Sequence, residues 1–410
     1  MKVLFFSLTN AGFSGNNVEH NGGGWIISLA QALSNSGVEL GIAFEGKGEW
    51  GCQKNGFTYF PMPVFCSKKN KLKRKIDFNS EERLMLPWMV KAVEEFKPDV
   101  IHIWGSESVF GKIISHTSVP CIIHLQGFLP ACSNAMFPPG VNRFDFFCHL
   151  LWHPVRLYRF FWYDHVFRKR AEREAEIMTE CMNFFGRTQW DADIVKLYNP
   201  QANYYYCGEV LRKEFLLVSG TWRHKFDNPV TIVSVISTPT YKGHDLILKT
   251  AEMLKKHTDL NFRWKVFGGF DSDFWGKKLK LSSSTLGVVS GGTVSASQLC
   301  NELQAASVFV HPSYIDNSPN SIAEAQLVGV PVVATATGGV SSLVEHGKTG
   351  FLVPANDPVS MAARIIELVE DKALSEKISS AAVETALKRH SVDSVVEDCL
   401  TVYRKLIEKC

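Results

Sequence analysis

No run of about 18 consecutive apolar residues occurs in this chain, so no membrane-spanning helix is expected. The first eight residues, MKVLFFSL, lack both a long apolar core and a small-residue cleavage site, and read as a first strand rather than a leader. Cysteines stand at 52, 66, 121, 132, 148, 181, 207, 300, 399 and 410, without a CxxC pair or a Cys/His zinc spacing. Such scatter reads as reduced thiols and points to the cytoplasm. Charge of one sign is missing too. The 44 Lys and Arg against 41 Asp and Glu leave +3, so bulk charge selects no partner, and no nucleic-acid reading module is present. There is no GxGxxG fingerprint.

What the chain does have is apolar content of 45% over 410 residues, enough for two cores. Apolar runs at 2–8, 38–44, 57–65, 100–104, 120–125 and 182–187, with helical patterns at 25–33 and 82–96, alternate as βαβ units. A second set follows at 230–236, 262–267, 288–292, 308–310 and 330–334, so the fold class is α/β with parallel sheets. The final helix, 392–406, carries an apolar face through Val392, Val395, Val396, Cys399, Tyr403 and Leu406.

The most informative stretch is 313–354, SYIDNSPNSIAEAQLVGVPVVATATGGVSSLVEHGKTGFLVP. It reads as strand end, loop, helix, strand and glycine turn, with Ser318 as N-cap and Pro319 opening the helix. Asp316 in the loop and Glu324 in the helix both face the crevice beyond the strand ends, where open α/β sheets bind ligands. The amides of Asn320, Ser321 and Ile322, with the helix dipole, favour a phosphate there. A carboxylate beside a phosphate suits a diol, since each oxygen accepts a hydroxyl. Lys242 and Gly243, after the strand at 230–236, suit a diphosphate. The loop ending in Gly22, Gly23 and Gly24 before a helix fits either a phosphate cradle or a plain flexible loop. In Asp271-Ser272-Asp273, one aspartate caps the following helix rather than holding a metal.

The acid–seven–acid spacing of Asp316 and Glu324, with its glycine loop, resembles the retaining glycosyltransferases of the GT-B fold, family 4. Residues 186–211, the turn 237–243 (STPTYKG) and the helix 392–406 extend the resemblance. It implies two Rossmann-like domains facing across a cleft: 1–207 on the acceptor side, 208–388 for the nucleotide sugar, and a C-terminal helix, 389–410, returning to the first domain. It implies transfer from a nucleotide-diphosphate sugar, UDP favoured, to a saccharide or lipid-linked saccharide, with no metal or other cofactor. Lys242, the amides and the glycine loop would stabilise the leaving diphosphate. Glu324 would hold ribose hydroxyls, Asp316 and His124 the sugar, and Val294 would lie at the base. Two positions depart from the family: Asp316 stands where Glu is usual, and Ser237 where arginine is common. A non-catalytic nucleotide-sugar-binding subunit or an epimerase would keep the same fold. Retention of Lys242, Glu324 and the glycines favours the transferase.

Two surface segments stand apart from this site. KKNKLKRK at 68–75 reads as a solvated loop, or as a patch for anionic lipid or an acidic acceptor. Residues 144–170 mix aromatics with arginines and histidines, as in an amphipathic helix pair packed on the first domain, with an anionic membrane surface as the alternative partner.

Overall fold

The computed structural model describes residues 1–13, 24–225, 228–238 and 240–409. These form two compact units, Met1–Ser133 with Trp162–Val210 and His390–Cys410, and Asn134–Phe161 with Leu211–Arg389. No helix among the described residues is long and apolar enough to cross a membrane.

The first unit is built on eight strands: β1 (Lys2–Ser7), β2 (Glu39–Glu45), β3 (Cys52–Lys54), β4 (Phe57–Met62), β5 (Val100–Trp104), β6 (Cys121–His124), β7 (Asn183–Gly186) and β8 (Asn203–Tyr206). Their order is β3-β4-β2-β1-β5-β6-β7-β8. Only the β3–β4 pair is antiparallel. Both faces of a parallel sheet are covered, so its strands are apolar on both sides and successive residues enter opposite cores. Leu4 and Phe6 enter one core, with Ile101, Ile103 and Ile123. Val3 and Phe5 enter the other. The helix Val392–Ile407 joins that second core through Val395, Cys399, Tyr403 and Leu406, and the Tyr403 hydroxyl lies 2.5 Å from His102 Nδ1.

The second unit holds β9 (Val230–Ile236), β10 (Phe262–Gly268), β11 (Val288–Gly292), β12 (Val308–His311), β13 (Val332–Thr335) and β14 (Phe351–Val353), ordered β11-β10-β9-β12-β13-β14. Every pair is parallel. Ile232, Val308 and Val310 face one core, and Val233 and Phe309 the other.

Three local expectations change. The sequence assigns 134–161 to the first domain, but this segment packs in the second unit. Phe146 stacks on Phe274 at 4.1 Å and on Phe160 at 4.8 Å, and Lys278 pairs with Asp145 at 2.6 Å. The basic run is not a loop but a helix, Lys68–Ile76, capped by Ser67. The helix after the acid loop begins at Asn320, with Pro319 itself at the N-cap position. Proline has no N–H and its extended ψ delivers the chain into the first turn.

Candidate functional site

In the second unit the strand order turns at β9, which pairs with β10 on one side and β12 on the other. Ligands of open α/β sheets bind beyond the C-terminal strand ends at such a switch point. Two turns leave there, one after β9 that includes Thr240–Gly243 and one after β12 at 312–319.

These turns are locked together by backbone. Gly243 has φ +82°, and a Cβ there would lie 2.1 Å from the Pro312 carbonyl oxygen, so only glycine fits. The Tyr314 N–H donates to the Tyr241 carbonyl at 2.7 Å, and the Tyr314 hydroxyl donates to Asp245 at 2.8 Å. Gly338 plays the same part on the far side. Its φ is +51°, a Cβ would lie 2.0 Å from the Asp316 carbonyl oxygen, and the next amide, Gly339, donates to that oxygen at 3.0 Å. The glycine turn after β13 therefore fixes the backbone of Asp316. His244 Nδ1 accepts from the Asp271 amide at 3.2 Å, so its Nε2–H donates to the Ser237 carbonyl at 3.0 Å and closes the start of the first turn.

Side chains converge on Asp316. Its Oδ2 accepts from Lys242 Nζ at 2.6 Å, His311 Nε2 at 3.0 Å and Ser313 Oγ at 3.3 Å, while Oδ1 accepts from the Asn317 amide at 3.1 Å. Burial by itself would raise this carboxyl, but the Lys242 ammonium and His311 outweigh it and hold the group far below the usual carboxylate range. The result is a fixed aspartate that aims a lysine. An ammonium has three N–H donors, so a lysine held by one carboxylate keeps donors for an anion.

The helix Asn320–Val328 starts in the same loop. The Ile322 amide donates to the Pro319 carbonyl at 3.0 Å, which removes it from the expected anion set. Asn320 and Ser321 occupy the first two helical positions, whose amides precede the intrahelical ladder. Glu324 is 4% exposed, and Arg212 approaches its Oε1 with Nε at 2.9 Å and Nη2 at 2.6 Å. Sequence reasoning missed Arg212, His311 and Tyr314. Arg212 sits 112 positions from its partner, in what reads as a polar connection, so no local pattern could have found it. His311 and Tyr314 did carry a signal, since both flank the strand end that holds Asp316.

The remaining expected site residues fall elsewhere. Gly22 and Gly23 lie outside the described residues. Gly24 is the first residue of the helix Gly24–Asn35, and its carbonyl accepts from Ser28 Oγ at 2.7 Å. Val294 follows β11 and precedes the Ser295 cap of the helix Ala296–Ala305. His124 ends β6 in the first unit, 0% exposed, stacked on Trp104 at 4.7 Å. Burial first, then His102 and Arg187, hold it neutral, and neither ring nitrogen has a hydrogen-bond partner among the described residues. Asp271 caps its helix by accepting from the Phe274 amide at 3.1 Å, as its position in the sequence predicts.

Residues 222–385, which include this whole constellation except Arg212, match the family model described as Glycosyl transferases group 1. A D-inositol 3-phosphate glycosyltransferase of Acidothermus cellulolyticus is 31% identical over 172 residues, 40% of this chain and 38% of that relative. The chain spans well under half the length of the curated relatives it matches, down to 20% for a Streptomyces avermitilis counterpart. Among solved structures, sucrose-phosphate synthase from Thermosynechococcus elongatus superposes with a TM-score of 0.73 at 14% identity, covering 100% of both chains. HepE of Anabaena, in complex with UDP and glucose, gives a TM-score of 0.64 at 16% identity, covering 98% of this chain and 99% of that one. At these identities the likeness is one of fold, and the fold is GT-B.

Proposed function

We propose that this chain, whose residues 222–385 match the model of the group 1 glycosyl transferases, is a member of that family and moves a sugar from a nucleotide diphosphate to a hydroxyl with retention of anomeric configuration. The observation that carries this reading is the Lys242–Asp316 ion pair, set at the β9/β12 switch point beside a helix N-terminus. Negative charge grows on the leaving diphosphate as the glycosidic bond breaks. Donors already in place for that charge lower the barrier because they need not reorganise. Lys242 and the Asn320 and Ser321 amides supply them.

Asp316 takes a different part from the one its sequence position implies. It already accepts from four protein donors, so its first task is to place Lys242 rather than to hold sugar hydroxyls. Glu324, oriented by Arg212, receives the ribose hydroxyls. The donor is a UDP-sugar, a reading supported by the fold's likeness to HepE, whose structure holds UDP and glucose. The acceptor is a saccharide or lipid-linked saccharide met on the cytoplasmic side.

The test is transfer itself. Purified protein is given UDP-, GDP- and ADP-sugars with saccharide alcohols, nucleoside diphosphate release is measured, and the product anomer is read by NMR. Release with one donor class and a retained anomer is expected, with Lys242→Ala lowering kcat/KM about a hundredfold or more. Inversion at the anomeric carbon, or interconversion of donor sugars without acceptor, would refute the reading.

A further inference from the structure

The helix Lys68–Ile76 buries none of its residues. One side of it is anchored to the first unit through Asn70 and Arg74. Asn70 Nδ2 donates to the Val64 carbonyl at 2.7 Å, and Arg74 lies 4.3 Å over the Phe65 ring and 3.5 Å from both Glu45 and Glu81. Asn70 and Arg74 are four apart and share a face. At about 100° per residue, Leu72 and Ile76 fall roughly opposite that anchored face. They are 58% and 79% exposed, so folding does not account for them.

Lysines bracket this apolar stripe. Lys68, Lys71 and Lys75 project on one side of it and Lys69 and Lys73 on the other, all exposed, and the helix contains no carboxylate. Lys75 Nζ also lies 5.9 Å over the Trp162 ring, which brings an aromatic to the same surface. Short apolar side chains between long cationic ones fit a bilayer surface: the stripe enters the acyl boundary and the lysines reach back to headgroup phosphates. A soluble polyanion would use the lysines and leave Leu72 and Ile76 in water.

We infer that Lys68–Ile76 is a docking helix for an anionic lipid bilayer, lying in the plane of its surface. This gives the transferase reading a place of work but does not depend on it, because docking is measured without turnover.

The experiment is co-sedimentation of the full chain with phosphatidylcholine vesicles, with and without phosphatidylglycerol, at low and high salt. Binding is expected only with phosphatidylglycerol and is expected to weaken with salt. Both Leu72→Ser/Ile76→Ser and Lys69→Glu/Lys73→Glu are expected to lower the partition coefficient about tenfold, while melting temperature and its rise with UDP stay at the unmodified level. Retained binding in Leu72→Ser/Ile76→Ser, with loss in the lysine variant, would mean a polyanion patch and overturn the inference. So would sedimentation with neither vesicle, or equal sedimentation with both. A failed transfer assay alongside these expected results would refute the enzyme and leave the docking helix standing.

Discussion

Lys242 and Asp316 are more informative as a pair than singly. The aspartate is deeply placed and accepts from four groups, so removing its charge leaves Lys242 and His311 facing a neutral amide in place of a carboxylate. Asp316→Asn is expected to cost about 2 kcal/mol, the range for hydrogen bonds to charged groups, read by urea unfolding. Because the native carboxyl sits far below its ordinary 3.8, this stabilisation is complete above that value and is lost as pH falls below it. The gap between wild type and Asp316→Asn therefore narrows with acid, and a gap that widened would contradict the assignment. The sequence already placed Lys242, Asp316 and Glu324 at one edge of one sheet, because each follows a recognisable strand. It could not show that Asp316 holds Lys242 or that Arg212 holds Glu324, since those pairs join residues 74 and 112 positions apart.

At the scale of elements, the site depends on two glycines that let three turns touch. An alanine at 338 would place its Cβ 2.0 Å from the Asp316 carbonyl oxygen at φ +51°. Gly338→Ala should therefore cost about 2 kcal/mol or more and weaken nucleotide binding together with stability. Thermal melts with and without UDP check this, and an unchanged UDP shift would show that the glycine turn does not position Asp316. Strands were the most legible elements. Buried parallel strands are continuous apolar runs, and the runs 230–236, 262–267 and 308–310 match β9, β10 and β12 nearly to the residue. The helix Lys68–Ile76 is not legible in the same way, because two apolar positions among lysines, Leu72 and Ile76, are too few to fix a helical period.

For the whole molecule, the sequence showed two α/β units, but not that 134–161 leaves the first for the second. Aromatic content marks a packed segment without naming what it packs on, and Phe146 on Phe274 is a pairing 128 positions long (274 − 146). The first unit also carries its own pH dependence. Glu174, buried against the Ser106 hydroxyl and the Leu129 amide, is pushed from 4.5 up to about 8 by burial and then by Glu107. An acid raised on folding binds its proton more tightly in the native state. Stability should therefore fall as pH rises from about 4.5 to about 8, by up to roughly 1.4 kcal/mol per pH unit. Glu174→Gln should flatten that slope in urea midpoints taken across the window, and a slope unchanged in the variant would place its origin elsewhere.

As the proposed diphosphate site of a nucleotide-sugar enzyme, the Lys242–Asp316 pair must bind a nucleoside diphosphate. Calorimetric titration of UDP into wild type and Lys242→Ala tests it most directly. Saturable one-site binding to the wild type, weakened at least about tenfold in the variant (about 1.4 kcal/mol), is the expected result. Equal affinity in both proteins would contradict it.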